Sequence, residues 1–438
     1  MFEKLTLEFR PCLAGKERGG AEMKGQWKEG RKRSLALVSL FTALLVLIGF
    51  AGYSIAQKVE EVKIGIIEPL SGPMALIGDN ELKGFQFAIK RINEAGGIKS
   101  LGGAKLVPII GDSEGKPEVG MTQAERLINN GAVLLSGANQ SAVVFSATQV
   151  AEKFKTPFVV STGVADPITE RGFQYTFRVM GTASMLSKQF FSFLREIGKT
   201  TGKQVKTIGL MYEDTLFGQS MAKTHKKYVN DYGYEVVADI AYPSRTSDVT
   251  PQVSKLVSAK PDFIILTSYL SDAILITRTL YEMNAAPIGF LGTGGYDQPD
   301  YIKETQNLSE YFFSNAIWSH TVKIPGVAEI NTEFKKLYGF DMTGFGGVCY
   351  TSAYVIKDVL ERAASLDKEK IRKALVETDM KVNEKGNVLH YGVKFDEKGQ
   401  NIHACELLNQ IQKSQFVPVW PPDSALAKPI WPFPGWKK

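Results

Sequence analysis

Cysteine and histidine are scarce in this chain: Cys12, Cys349 and Cys405, with His225, His320, His390 and His403, among 438 residues. So few thiols give no disulfide framework to read, and Cys349 and Cys405 are expected as two buried free thiols. Two distant cysteines do not make a zinc site. There is no H-E-x-x-H, no G-x-x-x-x-G-K-[ST] and no G-x-G-x-x-G after the first strand, so neither a metal nor a nucleotide cofactor is expected. An excess of one charge is also missing. The whole chain is +6, but nine basic and five acidic residues fall in its first 56, and the remainder carries 43 basic against 41 acidic residues, net +2. That balance leaves no electrostatic footprint for nucleic acid or for a strongly charged partner.

What is present starts with Arg31-Lys32-Arg33, an apolar run over 35–51 and a small-x-small site, Ser54-Ile55-Ala56. Basic region, apolar region and cleavage site in that order are the layout of a secretory signal. Residues 1–56 are therefore read as an N-terminal extension and signal peptide, and the rest is placed outside the cytoplasm. The apolar run would act as a membrane anchor if it stayed uncleaved.

The remaining 382 residues exceed what one core usually fills. They alternate strand and helix up to Tyr338. Apolar strand-like runs lie at 62–70, 106–110, 132–135, 158–160 and 175–180, and a second series at 207–211, 235–240, 263–267, 288–291 and 311–317. Near-continuous Val/Ile/Leu runs suit parallel strands covered on both faces. Between them, 81–93 sets Leu82, Phe85, Ile89 and Ile92 on one stripe and stops at Gly96-Gly97, and Pro117 opens the next helix. Two such series predict two similar α/β lobes. Farther on, 347–364 and 368–377 read as helices, 388–395 as a hairpin pair, and 407–411 and 416–419 as strands. The Pro/Trp-rich tail, 421–438, cannot be a regular helix and is expected to wrap a surface in extended form.

Ligands of open α/β sheets sit beyond the carboxyl ends of the strands. Both series are polar there: Ser71-Gly72-Pro73, Asp112-Ser113, Asn139-Gln140-Ser141 and Ser161-Thr162 in the first, Tyr212-Glu213-Asp214, Thr267-Ser268-Tyr269 and Thr293 to Asp297 in the second. Two polar rims describe a cleft. Ser141 opens a helical run to Phe154, and a serine at a helix start suits an anion, or fills an ordinary N-cap. Gly111-Asp112-Ser113-Glu114-Gly115 matches G-x-S-x-G, but Lys116-Pro117 delay the helix that a nucleophile elbow requires, and no histidine has a suggestive context. No catalytic residue is assigned, and an exported hydrolase using Ser113 stands only as a rival reading.

Residues 62–84 read VKIGIIEPLSGPMALIGDNELKG. This opening resembles the leucine/isoleucine/valine-type periplasmic binding proteins, the substrate receptors of ABC importers. The SGP turn, Gly78-Asp79, the helix ending INEAGGI, TPFVVSTGVADPITERG over 156–172 and EDTLFGQS over 213–220 are similar to that family, and the resemblance spans residues 60–415. It implies a type I fold: α/β, with two doubly wound parallel-sheet lobes joined by a three-segment hinge. Lobe 1 would combine 60–180 with 321–396, and lobe 2 would combine 182–318 with 397–420. Ligand would bind between lobes that close by hinge bending, a class for which periplasmic binding proteins are a standard example.

The resemblance also implies site residues. The carboxylate-binding serine matches Ser141, the backbone donors match Thr162 and Val164, the tyrosine matches Tyr269, and one aromatic position is kept as Phe217. Two positions depart: the acid that meets a ligand ammonium matches Gly294, and an aromatic in the first loop matches Ile77. A buried ammonium without a negative partner is costly. Asp297 and Asp214 stand as replacements, and Trp318, Tyr296 and Tyr269 as aromatic walls. The function implied is an extracytoplasmic substrate-binding protein of an ABC importer for branched-chain or related amino acids. Its partners would be a small-molecule ligand and the membrane permease subunits, with no nucleic acid, and it would be a monomer. A non-amino aliphatic or aromatic carboxylate is the rival ligand. The same fold acting as a sensor, or as a protein-binding module through its tail, is the rival role.

Overall fold

Apolar strands that lose both faces to neighbouring layers set the architecture. The first is Glu61–Glu68, of which every residue from Ile64 onward is buried. The computed structural model describes residues 59–436; the basic–apolar–small segment read as a signal lies outside the described residues. Among the described residues no helix is long and apolar enough to cross a membrane.

One sheet comprises β1 (Glu61–Glu68), β2 (Lys105–Asp112), β3 (Leu135–Gly137), β4 (Phe158–Val160) and β5 (Thr176–Arg178), all parallel in the order β2-β1-β3-β4-β5. Its crossovers are α1 (Ala75–Glu94), α2 (Pro117–Asn129) and α3 (Ser141–Lys153). The chain then passes through α4 (Ala183–Thr201) into β6 (Thr207–Glu213), α5 (Leu216–Tyr232), β7 (Glu235–Tyr242), α6 (Thr250–Ser258), β8 (Phe263–Ser268), α7 (Leu270–Glu282), β9 (Gly289–Gly294), α8 (Pro299–Thr305) and β10 (Phe313–Ala316). These strands repeat the first topology. The second sheet runs β14-β13-β10-β9-β8-β6-β7, parallel from β7 to β10. The hairpin β13 (Leu407–Gln412) and β14 (Gln415–Trp420) adds two antiparallel strands at its edge.

Helices α9 (Val327–Tyr338), α10 (Gly344–Ala363) and α11 (Lys368–Val376) return to the first lobe. Phe87 of α1 meets Phe334 of α9 and Tyr350 of α10 with ring centroids 5.5 and 5.7 Å apart. α1 starts at Ala75, six residues before the helix expected over 81–93, and its first turn lies against the Pro69 carbonyl. A Cβ at Gly78 would be 2.2 Å from that oxygen, so only glycine permits the approach.

The hairpin expected over 388–395 is not there. Only Val393–Lys394 (β12) is strand, paired antiparallel with Asp379–Met380 (β11). Val388, Leu389 and Val393 are spent on the core of the first lobe. The backbone of that stretch is tied by side chains: Asn387 Nδ2 donates to Tyr391 O (2.9 Å) and Trp318 Nε1 to Val388 O (2.7 Å).

Two of the passages between lobes are stitched together. Arg178 N–H donates to Gly399 O (2.8 Å) and Asn401 N–H to Arg178 O (3.0 Å). Asn401 Nδ2 donates to Val179 O and Gln400 Nε2 to Met180 O, each at 2.8 Å.

Residues 421–436 hold no helix and lie along the second lobe. Trp431 stacks on Phe263 (centroids 6.0 Å), Phe433 and Trp436 pack against Phe290, and Trp436 Nε1 donates to Ala285 O (2.7 Å). Buried aromatic area of this kind is worth more than its exposure suggests. Removing residues 421–438 is expected to lower the melting temperature by at least about 5 °C while ligand affinity changes less than about twofold, because no tail residue lines the cleft. Calorimetry and ligand titration on the truncated protein check this. Intact melting with lost affinity would contradict it.

Candidate functional site

The carboxyl ends of both parallel sheets face one cavity of about 60 Å³. A single water needs roughly 10–15 Å³, so there is room for a small organic ligand. The first lobe supplies Ile77 from α1, Asn139, Gln140 and Ser141 at the start of α3, and Val164 after β4. The second lobe supplies Phe217, Tyr269 and Thr293 to Gly295, and the passages between lobes supply Met180, Ile317 and Glu406. Among the described residues no lysine, arginine or histidine lines it.

The anion-accepting end is built on α3. Gln140, not Ser141, holds the N-cap position, and its side chain makes no capping bond. Ser141 is the first helical residue, and its Oγ accepts from the Ala165 N–H (3.3 Å). A hydroxyl that already accepts keeps its proton for a ligand oxygen. The unpaired N–H groups of the first helical turn and the positive dipole end add to it.

Ala165 belongs to the loop after β4, which is shaped from beneath by a residue that sequence reasoning missed. Arg178, the last residue of β5, is fully buried. Its Nη1 donates to Gly163 O (3.0 Å) and Ala165 O (2.8 Å), Nη2 to Thr169 Oγ1 (2.7 Å) and Nε to Gln400 Oε1 (2.6 Å). Burial lowers its pKa to about 10, so it stays charged. The signal was there: an arginine inside the otherwise apolar run 175–180 must be either on an edge or paired.

Below the same wall lie Glu68 and Glu81, both 0 % exposed. Asn139 Nδ2 donates to Glu81 Oε1 (2.9 Å). Burial, then the charge of Glu81, pushes the Glu68 carboxyl well above its usual range, and burial raises Glu81 as well. Thr162 is buried in this layer and is not part of the cavity lining.

The opposite wall is aromatic. Phe217 and Tyr269 pack with centroids 5.5 Å apart at 43°. Gly294 sits beside them with φ +85°, and a Cβ there would lie 2.7 Å from Ser268 O and 2.9 Å from the Phe217 ring. An acid of the type expected at this position has no space in the wall. Ile77 occupies the opposite face in place of an aromatic.

Several expectations are not met by the placement. Asp297 points behind the wall, accepting from Ser314 Oγ (3.1 Å) and Asn409 Nδ2 (3.3 Å), and does not line the cavity. Burial raises its pKa to about 8. Asp214 accepts from the Ser244 N–H (3.1 Å) outside the cleft. Trp318 and Tyr296 are buried in the packing of their own lobes and form no wall. Ser113 Oγ accepts from the Gly115 N–H (3.3 Å), with no imidazole bonded to it among the described residues. Cys349 and Cys405 are free thiols, as expected, but only the first is fully buried; the second is half-buried.

The carboxyl that does line the cavity is Glu406, just before β13. It is 3 % exposed, and neither side-chain oxygen has a hydrogen-bond partner among the described residues. An acid beside an apolar strand carried no signal in the sequence, and only the return of the chain past the hinge brings it to the cavity that Ser141 lines.

A family model described as "Periplasmic binding protein" matches residues 61–414. The chain is 30% identical over 396 residues to the Leu/Ile/Val-binding protein homolog 7 of Brucella melitensis, covering 88% of this chain and 97% of that protein. It is 32% identical over 378 residues to homolog 8 of Brucella abortus, covering 84% and 92%. Among solved structures, a leucine binding protein LivK from Thermotoga maritima superposes with TM-score 0.72 at 22% identity, covering 83% of this chain and 99% of that one. The branched-chain amino acid transporter substrate binding protein LivJ from Streptococcus pneumoniae, in complex with isoleucine, gives 0.71 at 19%, covering 81% and 97%.

Proposed function

The chain belongs to the periplasmic binding protein family, of the leucine/isoleucine/valine type, and on that premise we propose that it captures a branched-chain or related α-amino acid between its lobes outside the cytoplasm and hands it to a membrane ABC importer. The supporting observation is Ser141: a hydroxyl with a free proton, at a helix start, in an interlobe cavity with an apolar and aromatic opposite wall. The ligand carboxylate would take the Ser141 proton and the first-turn N–H groups of α3. The aliphatic side chain would lie between Ile77 and the Phe217–Tyr269 pair. Capture is by closure, without covalent chemistry. The closed surface would be what the permease reads, and a monomer suffices for that.

A thermal-shift and titration screen tests it, because a ligand that binds only the folded state raises the melting temperature by mass action. Leucine, isoleucine and valine should shift the protein, and Ser141→Ala should weaken that binding about ten- to hundredfold, the usual worth of one hydrogen bond to a charged group. A second reading, a non-amino carboxylate, is favoured by one observation, the uncharged wall at Gly294. A shift with 4-methylpentanoate or its 2-oxo form and none with amino acids would select it.

Gly294→Glu, which restores the family's acid in sequence, is expected to lose ligand affinity by at least about tenfold and to lower the melting temperature, since the new side chain meets Phe217 and the Ser268 carbonyl. Tighter amino-acid binding by this variant, measured by titration, would show that the wall yields.

A further inference from the structure

We propose that Glu406 is the acid that meets the ligand ammonium in this protein, from a different element than the family's acid, and that it releases a proton as the ligand enters. The inference rests on the amino-acid reading above. It stands first on geometry. Among the described residues Glu406 is the only carboxylic acid lining the cavity, and neither of its buried oxygens has a partner there. A buried carboxyl with nothing to accept from is expensive as an anion and costly even when neutral. A binding site tolerates such a group where an arriving donor supplies the missing bonds. The position has the right relation to the other end of the site. Ser141 lies on the first lobe, and Glu406 lies where the last passage between lobes enters β13, with its backbone N–H held by Gln189 Oε1 (3.1 Å). A zwitterion spans carboxylate-binding and ammonium-binding groups on opposite sides of such a cleft.

The groups facing Glu406 favour its neutral form before ligand arrives. Asp297, itself buried, approaches from behind β9, and the Tyr391 phenol and Cys405 thiol flank it. None of these is cationic. Burial first, and the Asp297 charge second, push the Glu406 carboxyl well above its usual range. The ligand ammonium brings a positive charge and three N–H donors into contact with it. The carboxyl then ionises, its proton passes to solvent, and the pair Glu406 carboxylate–ligand ammonium is left neutral overall. The ligand itself enters and remains a zwitterion, so the only change in proton count is on the protein.

The experiment is isothermal titration of the purified protein with leucine, isoleucine and valine at pH 6.5, in buffers of different ionisation enthalpy, for wild type and Glu406→Gln. Glutamine copies the shape of the protonated acid, so the fold is retained, and melting curves verify this. Wild type is expected to release protons as the amino acid binds. Glu406→Gln should release none, and should bind about ten- to hundredfold more weakly, the worth of a charged hydrogen bond, with 4-methylpentanoate bound at least as well as by wild type. Equal amino-acid affinity and equal proton release in the two proteins would overturn this inference alone and leave the receptor reading standing. Failure of wild type to bind any amino acid would overturn both.

Discussion

Arg178→Met should lower the stability of the protein by about 3–5 kcal/mol, the cost of breaking a buried, hydrogen-bonded charged site by removing one side of it. The guanidinium makes four hydrogen bonds in a layer with no solvent access, and three of its acceptors lie in the 163–169 loop. Methionine fills the volume and supplies no donor, so Gly163 O loses its Arg178 partner and Ala165 O keeps only the Ile168 N–H (3.1 Å). The same carbonyls fix the loop that carries the Ala165 N–H to Ser141. Denaturant unfolding and ligand titration should therefore fail together. Thr169→Val, which removes the Nη2 acceptor and the long Thr169 Oγ1 bond to Gln400 Oε1 (3.4 Å) but leaves the bonds to Gly163 O and Ala165 O, should cost about 1 kcal/mol and keep binding, and it remains measurable if Arg178→Met does not fold. Loss of stability with wild-type ligand affinity would separate the loop from the site.

The second large effect is on stability against pH, and its two limbs have opposite origins. Four carboxyls, Glu68, Glu81, Asp297 and Glu406, are raised by burial, Asp297 to about 8. In the unfolded chain they ionise near 4. Between about 4 and 8 the unfolded state therefore binds fewer protons than the folded state, and stability falls as pH rises. His225 and His390 are held neutral by burial, lowered to about 3 and about 4. Unfolded, they take up protons below about 6.5, so their contribution is lost as pH falls through that value. Each group can supply up to about 1.4 kcal/mol per pH unit within its window. Up to about pH 6.5 the four carboxyl slopes outweigh the two histidine slopes, and above it only the carboxyl slopes remain, so the melting temperature should be highest at about pH 4–4.5, falling slowly to about 6.5 and steeply above it. Calorimetry from pH 3 to 8.5 checks this, with Asp297→Asn as control. The isosteric amide should flatten the alkaline limb and leave the acid limb in place. A melting temperature constant from pH 6 to 8.5 would mean these carboxyls are not buried unionised.

Fold and site were unequally legible in the sequence. Strands such as Phe263–Ser268, buried at every position, announce themselves because nothing but Val, Ile, Leu, Phe and small polar residues survives between two layers. Ser141 was visible because a serine opening a helix after a polar rim has few other uses. The 388–395 stretch misled because alternation of apolar residues marks a half-buried strand only when a partner strand exists, and here Val388 and Leu389 bury against helices instead. Asp297 was expected in the cleft from its place in the Gly294–Asp297 loop. The tight turn at Gly295–Asp297 rotates its side chain to Ser314 and Asn409. Glu406 was missed for the converse reason: it reaches the cavity only through the return of the chain past the hinge, which local pattern does not encode. Arg178 did leave a local signal, a charge inside the run 175–180, but its partners, Gly163, Ala165, Thr169 and Gln400, are set by the fold.

The Phe217 ring at Gly294 also bears on how this cleft can diverge. A side chain at 294 collides with that ring, and cutting Phe217 down first removes its packing against Tyr269. Each step alone is thus expected to cost packing that the other does not restore. An acid on that wall needs both changes together, whereas the ligand preference can be retuned by single changes at Ile77 and around Glu406, which line the same cavity.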